Sequence, residues 1–285
     1  MKIIFFGEDS FSNVVVLSLL NAGLDLALVI CPFYNNIRHK RLERTCKDNG
    51  IEFIRIKNIN SLQVVDKVKS YSPDLVIVAH FEKLISLEII NIPTIGCINV
   101  HPSLLPEYRG MSPQHYPIIN GEKETGVSVH YIDETADTGD IILQKAVQIE
   151  PEMYVNELQQ KFIEIYKFIV IEAIDLINNS SFKPVKQSHL LGSYYGKLRK
   201  KDCNIDVSRT QNEVLNLIRG VSRPYYGATL ENYRIWRARK MNSQEKGIFS
   251  KVERKKLGLY LSNNNDMYIF LNDGGIKVEQ YQKIK

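Results

Sequence analysis

Leu75-Val76-Ile77-Val78-Ala79 is a run of five apolar residues with no polar position to turn toward water. A strand of that kind is covered on both faces, which is the situation of a parallel sheet packed between helices. Upstream, Ile3–Phe6, Asp25–Ile30 and Ile51–Ile56 read as strands of the same sheet. Between them lie Ser12–Ala22, with Val14, Val15, Leu17, Leu19 and Leu20 at helical spacing, a polar helical stretch over about 38–49 closed by Asn49-Gly50, and a helix over Ser61–Ser70. The alternation predicts an α/β, Rossmann-like, doubly wound parallel sheet. Ligands of such sheets bind beyond the carboxyl ends of the strands, so Gly7–Ser12, Cys31–Asn36 and His80–Lys83 are expected around one crevice.

The first of these loops, Gly7-Glu8-Asp9-Ser10-Phe11, lacks the G-x-G-x-x-G pattern, and no dinucleotide is expected there. Asp9 or Ser10 suits the N-cap of the first helix, and both also lie within reach of a substrate in the crevice. Downstream, Gly96–Val100 and Thr125–Tyr131 read as strands, and Ile141–Gln144 and Ala146–Ile149 as two strand pieces after a turn. Met153–Ile177 reads as one long amphipathic helix whose stripe of Leu158, Phe162, Ile165, Phe168 and Ile169 is core packing. The pattern breaks at Asn178-Asn179-Ser180-Ser181.

Beyond residue 200 the texture changes. A helix over Gln211–Gly220 precedes short strand-like pieces at Gly227–Leu230, Tyr233–Arg239, Gly247–Val252, Gly258–Ser262, Met267–Leu271 and Ile276–Tyr281. Turn residues such as Asn263-Asn264-Asn265 and Asp273-Gly274-Gly275 separate them, as in a small, open five-stranded barrel of the OB type. The expected organisation is a catalytic domain over 1–190 and an OB-like subdomain over 200–285.

Hydrophobic content of 44% and charged content of 24% suit a folded globular chain rather than a disordered one. No apolar run approaches membrane-span length, and Met1–Gly7 reads as a strand rather than a signal peptide, so a cytoplasmic protein is expected. Cys31, Cys46, Cys97 and Cys203 show no metal or disulfide spacing and are expected to be ordinary buried thiols, with no metal site. The net charge of +5 is uneven, the 90 residues from Gly196 carrying +10 and the rest −5. That excess includes Lys197-Leu198-Arg199-Lys200-Lys201 and Arg254-Lys255-Lys256, short clusters that suit solvated surface, a nucleotide diphosphate or nucleic acid.

The chemistry is concentrated in Asn99-Val100-His101-Pro102-Ser103-Leu104-Leu105-Pro106-Glu107-Tyr108-Arg109-Gly110, followed by Gly121-Glu122-Lys123-Glu124-Thr125-Gly126-Val127 and Asp137-Thr138-Gly139-Asp140-Ile141-Ile142. On a strand, residues two apart face the same side, so Asn99 and His101 project together where the strand runs into a loop. His130, His115, His80 and His39 are given structural or minor binding roles.

These three spaced motifs resemble the core of the 10-formyltetrahydrofolate-dependent formyltransferases, a group that includes methionyl-tRNA, glycinamide ribonucleotide and nucleotide-sugar enzymes. The resemblance runs from residue 1 to about 185 and continues more loosely through Pro224-Tyr225-Tyr226-Gly227-Ala228. It implies a catalytic set of Asn99, His101 and Asp137 and a 10-formyltetrahydrofolate co-substrate. Asn99 would donate to the oxyanion that forms as an amine attacks the formyl carbon, and His101 would manage protons. Asp137 would hold the His101 tautomer or accept the amine proton through water; the sequence leaves the true base open. The resemblance further implies a pterin pocket at Phe81, Glu82, Lys83 and Leu84 and at Ile132, Asp133, Glu134, Thr135 and Ala136.

The acceptor is expected near Asp9, Ser10, Ser103, Tyr108, Arg109, Gly110 and Met111, with Arg109 on a phosphate. Cys31–His39 lacks the longer, basic, glycine-containing loop of the tRNA enzymes, which favours a nucleotide-diphosphate amino sugar. The basic C-terminal third keeps methionyl-tRNA as the rival. An idle folate- or RNA-binding module is a third reading, and a homodimer is left open.

Overall fold

The computed structural model describes residues 1–188, 191–249, 257–262 and 266–284. In chain order its elements begin β1 (Lys2–Phe6), α1 (Ser10–Asn21), β2 (Asp25–Pro32), α2 (Lys40–Asp48), β3 (Glu52–Ile56), α3 (Leu62–Tyr71), β4 (Leu75–Ala79), α4 (Leu87–Ile90) and β5 (Gly96–His101). They continue with β6 (Arg109–Gly110), α5 (Tyr116–Asn120), β7 (Glu124–Tyr131), β8 (Ile141–Gln148), α6 (Val155–Tyr166), α7 (Ile169–Asn178) and β9 (Tyr194–Tyr195). The last are α8 (Gln211–Gly220), β10 (Ala228–Leu230), β11 (Tyr233–Lys240), α9 (Ser243–Phe249), β12 (Gly258–Leu261), β13 (Met267–Leu271) and β14 (Gly274–Lys283).

The apolar runs form a seven-stranded sheet in the order β3-β2-β1-β4-β5-β7-β8. The pairings among β1 to β5 are parallel, as expected, but β7 runs antiparallel to β5. Ile4, Phe6, Leu28, Ile30, Val76 and Val78 fill one face, packed with Val64, Val65 and Val68 of α3. The start of α1 is fixed to the end of β4. Asp9 caps the helix, accepting from the N–H groups of Phe11 and Ser12 at 2.9 and 3.1 Å. Ser12 Oγ donates to the Ala79 carbonyl at 2.9 Å. That cap satisfies N–H groups with no partner inside the helix and sets the rim of the crevice.

The chain divides into two compact units, one of Met1–Pro113, Gly126–Val147 and Lys161–Tyr195, the other of Gln114–Thr125, Gln148–Gln160 and Gly196–Lys285. The second unit therefore recruits two segments that the sequence reading placed in the first domain. Its five strands form an antiparallel sheet in the order β10-β11-β14-β13-β12. Its core is Val214, Leu215 and Ile218 of α8 packed with Ile235, Ile269 and Ile276 of the strands.

Three expectations change. The helix over Met153–Ile177 is two helices, and at the break the Lys167 carbonyl accepts from Ser18 Oγ at 2.6 Å while Phe168 is exposed. Residues 141–148 form one strand, β8, where two pieces were expected. Gly247–Val252 is not a strand where it is described, because α9 runs through Phe249; residues 250–252 lie outside the described residues, as do Arg254-Lys255-Lys256 and Asn263-Asn264-Asn265. Asn242 and Glu245 start α9 by exchanging side-chain-to-backbone bonds at 2.7 and 2.9 Å, a capping box that outweighs the β-branched composition beyond. The four cysteines are free and buried. Among the described residues no helix is long and apolar enough to cross a membrane.

Inside the second unit, His115 is 3% exposed, its Nδ1 donates to the Gly220 carbonyl at 2.7 Å, and burial pushes its pKa down to about 4 from 6.5. A folded-state value below the unfolded one stabilises the fold above pH 6.5, and that stability is lost as the pH falls toward 4. Between neutral pH and about pH 5 this one group accounts for roughly 2 kcal/mol. His115→Gln, which retains a donor but does not titrate, should flatten that part of the acid dependence of the urea midpoint. An identical acid dependence in the variant would assign the loss to other groups.

Candidate active site

β5 ends with Asn99 and His101 on one face, and β7 lies antiparallel to it with Asn99 opposite His130 and His101 opposite Ser128. Directly paired residues share a face, so His130 joins the two predicted groups. Asp137, in the loop between β7 and β8, completes the cluster. Its Oδ1 lies 3.5 Å from His101 Nδ1, 3.5 Å from His130 Nε2 and 3.3 Å from Asn99 Nδ2. Its Oδ2 accepts from the Gly110 N–H at 2.8 Å. Asn99 Nδ2 is also 3.2 Å from His130 Nε2. Asp137 has φ of 58° and Tyr108 of 59°, a left-handed region that non-glycine residues occupy only when their surroundings hold them there.

The tautomers follow from the partners. Tyr108 O is a carbonyl 2.9 Å from His101 Nε2, so Nε2 carries the hydrogen and Nδ1 is the bare nitrogen of the neutral ring. In the same way His130 Nδ1 donates to the Tyr131 carbonyl at 2.7 Å, leaving Nε2 to accept from Asn99. Burial pushes the His101 imidazole toward its neutral form, against the opposing pull of Asp137 and the Tyr108 carbonyl. Burial alone would raise the Asp137 carboxyl, but His101, His130 and the Gly110 N–H outweigh it and hold it well below the usual carboxylate range. A proton arriving in this cluster therefore goes to imidazole rather than to carboxylate. The His101 tautomer is thus set by the Tyr108 main chain rather than by Asp137, which differs from the sequence expectation.

The loop assigned to the acceptor is largely committed to supporting this cluster. Ser103 is fully buried and its hydroxyl donates to the Glu107 carbonyl at 2.6 Å, so it offers nothing to a ligand. Arg109, expected on a phosphate, is 7% exposed. Its guanidinium donates to Gln187 Oε1 at 2.7 and 3.3 Å and to the carbonyls of Ser188 and Leu191 at 3.2 Å each. Tyr108 is buried, stacked on Tyr195 with ring centroids 5.1 Å apart. A side chain on Gly110 would meet Tyr195 O at 2.5 Å, and Met111 N donates to that carbonyl at 2.8 Å. A charged residue in a loop near a site reads as a ligand contact from sequence alone; here distant partners across the fold have taken it.

At the other rim, Asp9 is occupied in capping α1, and its Oδ2 lies 3.5 Å from His80 Nδ1, while Ser10 is exposed. His80 in turn stacks on Phe11 at 4.4 Å and reaches Tyr166 Oη at 2.9 Å. Phe81 packs edge-on against Phe6 at 5.6 Å, and both Phe81 and Ile132 rest on the core cluster of the sheet. Glu82, Lys83 and Leu84 are exposed, and Glu82 faces Arg38 at 3.8 Å. An open groove of about 380 Å³, lined by Lys57, Asn58, Asn60, Glu82, Lys83 and Leu84, borders this loop. Asp133 accepts from Thr135 N and Thr138 Oγ1 at 3.1 and 2.7 Å, shaping the loop that carries Glu134, Ala136 and Asp137.

His130 is the member of the cluster that the sequence reading passed over. Its signal lay in the strand pairing: once β7 is placed antiparallel to β5, alternation puts Ser128 and His130 on the face of Asn99 and His101. The electrostatics can be checked directly. Asp137→Asn removes the charge that favours protonated His101, so the imidazole should titrate at lower pH than in the parent, read from nitrogen-15 imidazole shifts. An unchanged titration would mean that carboxylate and ring are not coupled.

The formyl transferase family profile matches residues 1–174. A methionyl-tRNA formyltransferase of Clostridioides difficile is 31% identical over 279 residues, covering 94% of this chain and 90% of the relative. One from Ruminiclostridium cellulolyticum is 34% identical, covering 80% and 75%. Among solved structures, the sugar 3N-formyl transferase WlaRD, determined with dTDP and 5-N-formyl-THF, superposes with a TM-score of 0.73 at 23% identity, over 98% of this chain and 97% of its own. The N-formyltransferase of Helicobacter canadensis, in complex with folinic acid and dTDP-3-aminofucose, gives 0.73 at 21%, over 98% and 99%. At those identities the structural likeness is one of fold. By the profile match and by the sequence relatives that span nearly its whole length, the chain belongs to the formyl transferase family.

Proposed function

We propose that this formyltransferase moves a formyl group from 10-formyltetrahydrofolate to the amine of a nucleotide-linked amino sugar, with Asn99, His101 and Asp137 as the catalytic residues. The observation that carries the chemistry is the bare Nδ1 of a buried, neutral His101 lying 3.5 Å from the Asp137 carboxylate. A base placed there takes a proton from the attacking amine and becomes an imidazolium whose new N–H faces an anion. Asp137 thereby stabilises the protonated ring without itself taking the proton, and the ring gives that proton to the folate nitrogen as its bond to the formyl carbon breaks and tetrahydrofolate leaves. Asn99 holds its N–H groups at 3.2 and 3.3 Å from His130 and Asp137, long bonds that the charge developing on the formyl oxygen can draw away. His130 keeps the Asn99 amide turned with its nitrogen toward that charge.

The co-substrate supplies an activated formyl carbon when bound. Its fit to this chain rests on Phe81 and Ile132, two loop side chains that share one apolar core cluster, and on the main chain of residues 132–136. Glu82, Lys83 and Leu84 would lie along the open edge.

For the acceptor, the sugar reading rests on the loop after β2. Phe33 is 43% exposed and backed by Arg55 at 4.6 Å, and Lys83 lies 6.0 Å from the Tyr34 ring. Aromatic faces flanked by cations suit a base or a sugar ring. The dTDP and the dTDP-3-aminofucose present in the two solved structures agree with it. The tRNA reading is favoured by the names of the sequence relatives and by the basic C-terminal third. Surface-polysaccharide biosynthesis is the setting that a formylated amino sugar implies.

Two measurements test this. Asn99→Ala and His101→Ala should each lower turnover by about 10²–10⁴ with folate binding retained; near-parent turnover in either would remove the proposed chemistry. Offered 10-formyltetrahydrofolate with dTDP- or UDP-linked amino sugars and, separately, charged initiator tRNA, the enzyme should formylate a sugar. Activity on tRNA alone, falling steeply with salt as phosphates release counterions, would replace the acceptor and leave the chemistry.

A further inference from the structure

Gln187 follows α7 in a stretch anchored by Val185, whose N–H and C=O both pair with Ile141 at 2.8 Å. Its Nε2 donates to two carbonyls, those of Asp137 at 3.0 Å and Gly139 at 2.7 Å. Its Oε1 accepts from Arg109 Nε and Nη2 at 3.3 and 2.7 Å. The amide can sit only this way round, since carbonyls only accept and a guanidinium only donates. The residue after Arg109 is Gly110, whose N–H grips Asp137 Oδ2 at 2.8 Å. The bonds therefore close a ring that runs from the Asp137 main chain through Gln187, Arg109 and Gly110 to the Asp137 carboxylate. Asp137 stands at φ 58°, a left-handed conformation that its neighbours hold in place.

We propose that Gln187 is a positioning residue for formyl transfer, clamping the left-handed main chain of Asp137 so that its carboxylate meets His101 and Asn99. The proposal rests on the reading of Asp137 and His101 as catalytic. Gln187 touches neither ring nor carboxylate; it acts through the carbonyls at 137 and 139 and through Arg109. Arg109 is thereby given a task in place of the phosphate contact expected of it. Misplacing a catalytic group by about an ångström can cost on the order of a hundredfold in rate, whereas substrate binding need not change.

The decisive variant is Gln187→Glu. It keeps the acceptor for Arg109, now as an ion pair, but sets an acceptor-only group against two carbonyls. The fold should melt within a few degrees of the parent while kcat falls roughly ten- to a hundredfold. KM for 10-formyltetrahydrofolate and for the acceptor should change little, and the kcat–pH profile should shift because the His101 partner has moved. Gln187→Ala, which removes both sides of the clamp, should show the same kcat loss with a lower melting temperature. Gln187→Glu with parent kcat and pH profile, beside an inactive Asp137→Asn, would overturn the proposal. So would a loss expressed only in KM, or one that merely follows the folded fraction in both variants. Parent-like turnover in Asp137→Asn would instead remove the catalytic reading on which the clamp depends.

Discussion

A carboxylate withdrawn from water must be met by donors, and Asp137 obtains them from separate stretches of chain. The Gly110 N–H and the Asn99 amide donate to its two oxygens, and the rings of His101 and His130 pack beside them at 3.5 Å each. Three local features of the first unit serve that requirement. The left-handed backbone at Asp137 aims the side chain inward, and the one at Tyr108 turns its carbonyl onto His101. The short pairing of β6 with β9 holds Gly110 where its N–H is needed. An unpaired charge in the same place would be worth several kcal/mol of destabilisation. The arrangement is therefore constrained as a whole rather than residue by residue.

What the sequence disclosed follows the same division between local and distant causes. Parallel strands buried on both faces announce themselves in runs such as Leu75–Ala79, and alternation alone put Asn99 and His101 on one side. The direction of β7 does not show in composition, because an antiparallel neighbour at one side of the sheet carries the same apolar residues as a parallel one. His130 was lost with it. The partners of Arg109 were hidden for a related reason, since Gln187 lies 78 residues along the chain and nothing in the loop itself points there. The break between α6 and α7 turns Phe168 out of the apolar stripe, but the spacing of apolar residues in the sequence runs on through it, so periodicity passes over it. By contrast, the start of α9 was written plainly as Asn242-x-x-Glu245, a signal that the β-like residues around Gly247 obscured.

The two kinds of relative bear on different parts of the molecule. The proposed chemistry is placed in a cluster whose members come from β5, β7 and the loop that follows. The side chains proposed to receive the acceptor, such as Phe33 and Tyr34, stand on the loop after β2, on the other side of β1 and β4 in the sheet. Family membership therefore informs the first more strongly than the second. Loops at strand ends can be exchanged without disturbing a sheet that is packed from both sides, which is how one fold accommodates amines carried on dissimilar molecules.

The partner of His101 Nε2 is a main-chain oxygen, and this has an evolutionary corollary. Side chains at position 108 can be replaced by mutation, but the carbonyl is present in every one of them. The protonation pattern of the imidazole is therefore inherited from the path of the chain and is insulated from drift in residue identity at that position. Proline is forbidden, since its ring fixes φ near −65° rather than the +59° that turns the carbonyl inward, and β-branched residues are disfavoured there by the same left-handed backbone. Variation at 108 is then free to remodel the surface stacked on Tyr195 while the reactive nitrogen continues to face the anion beside it.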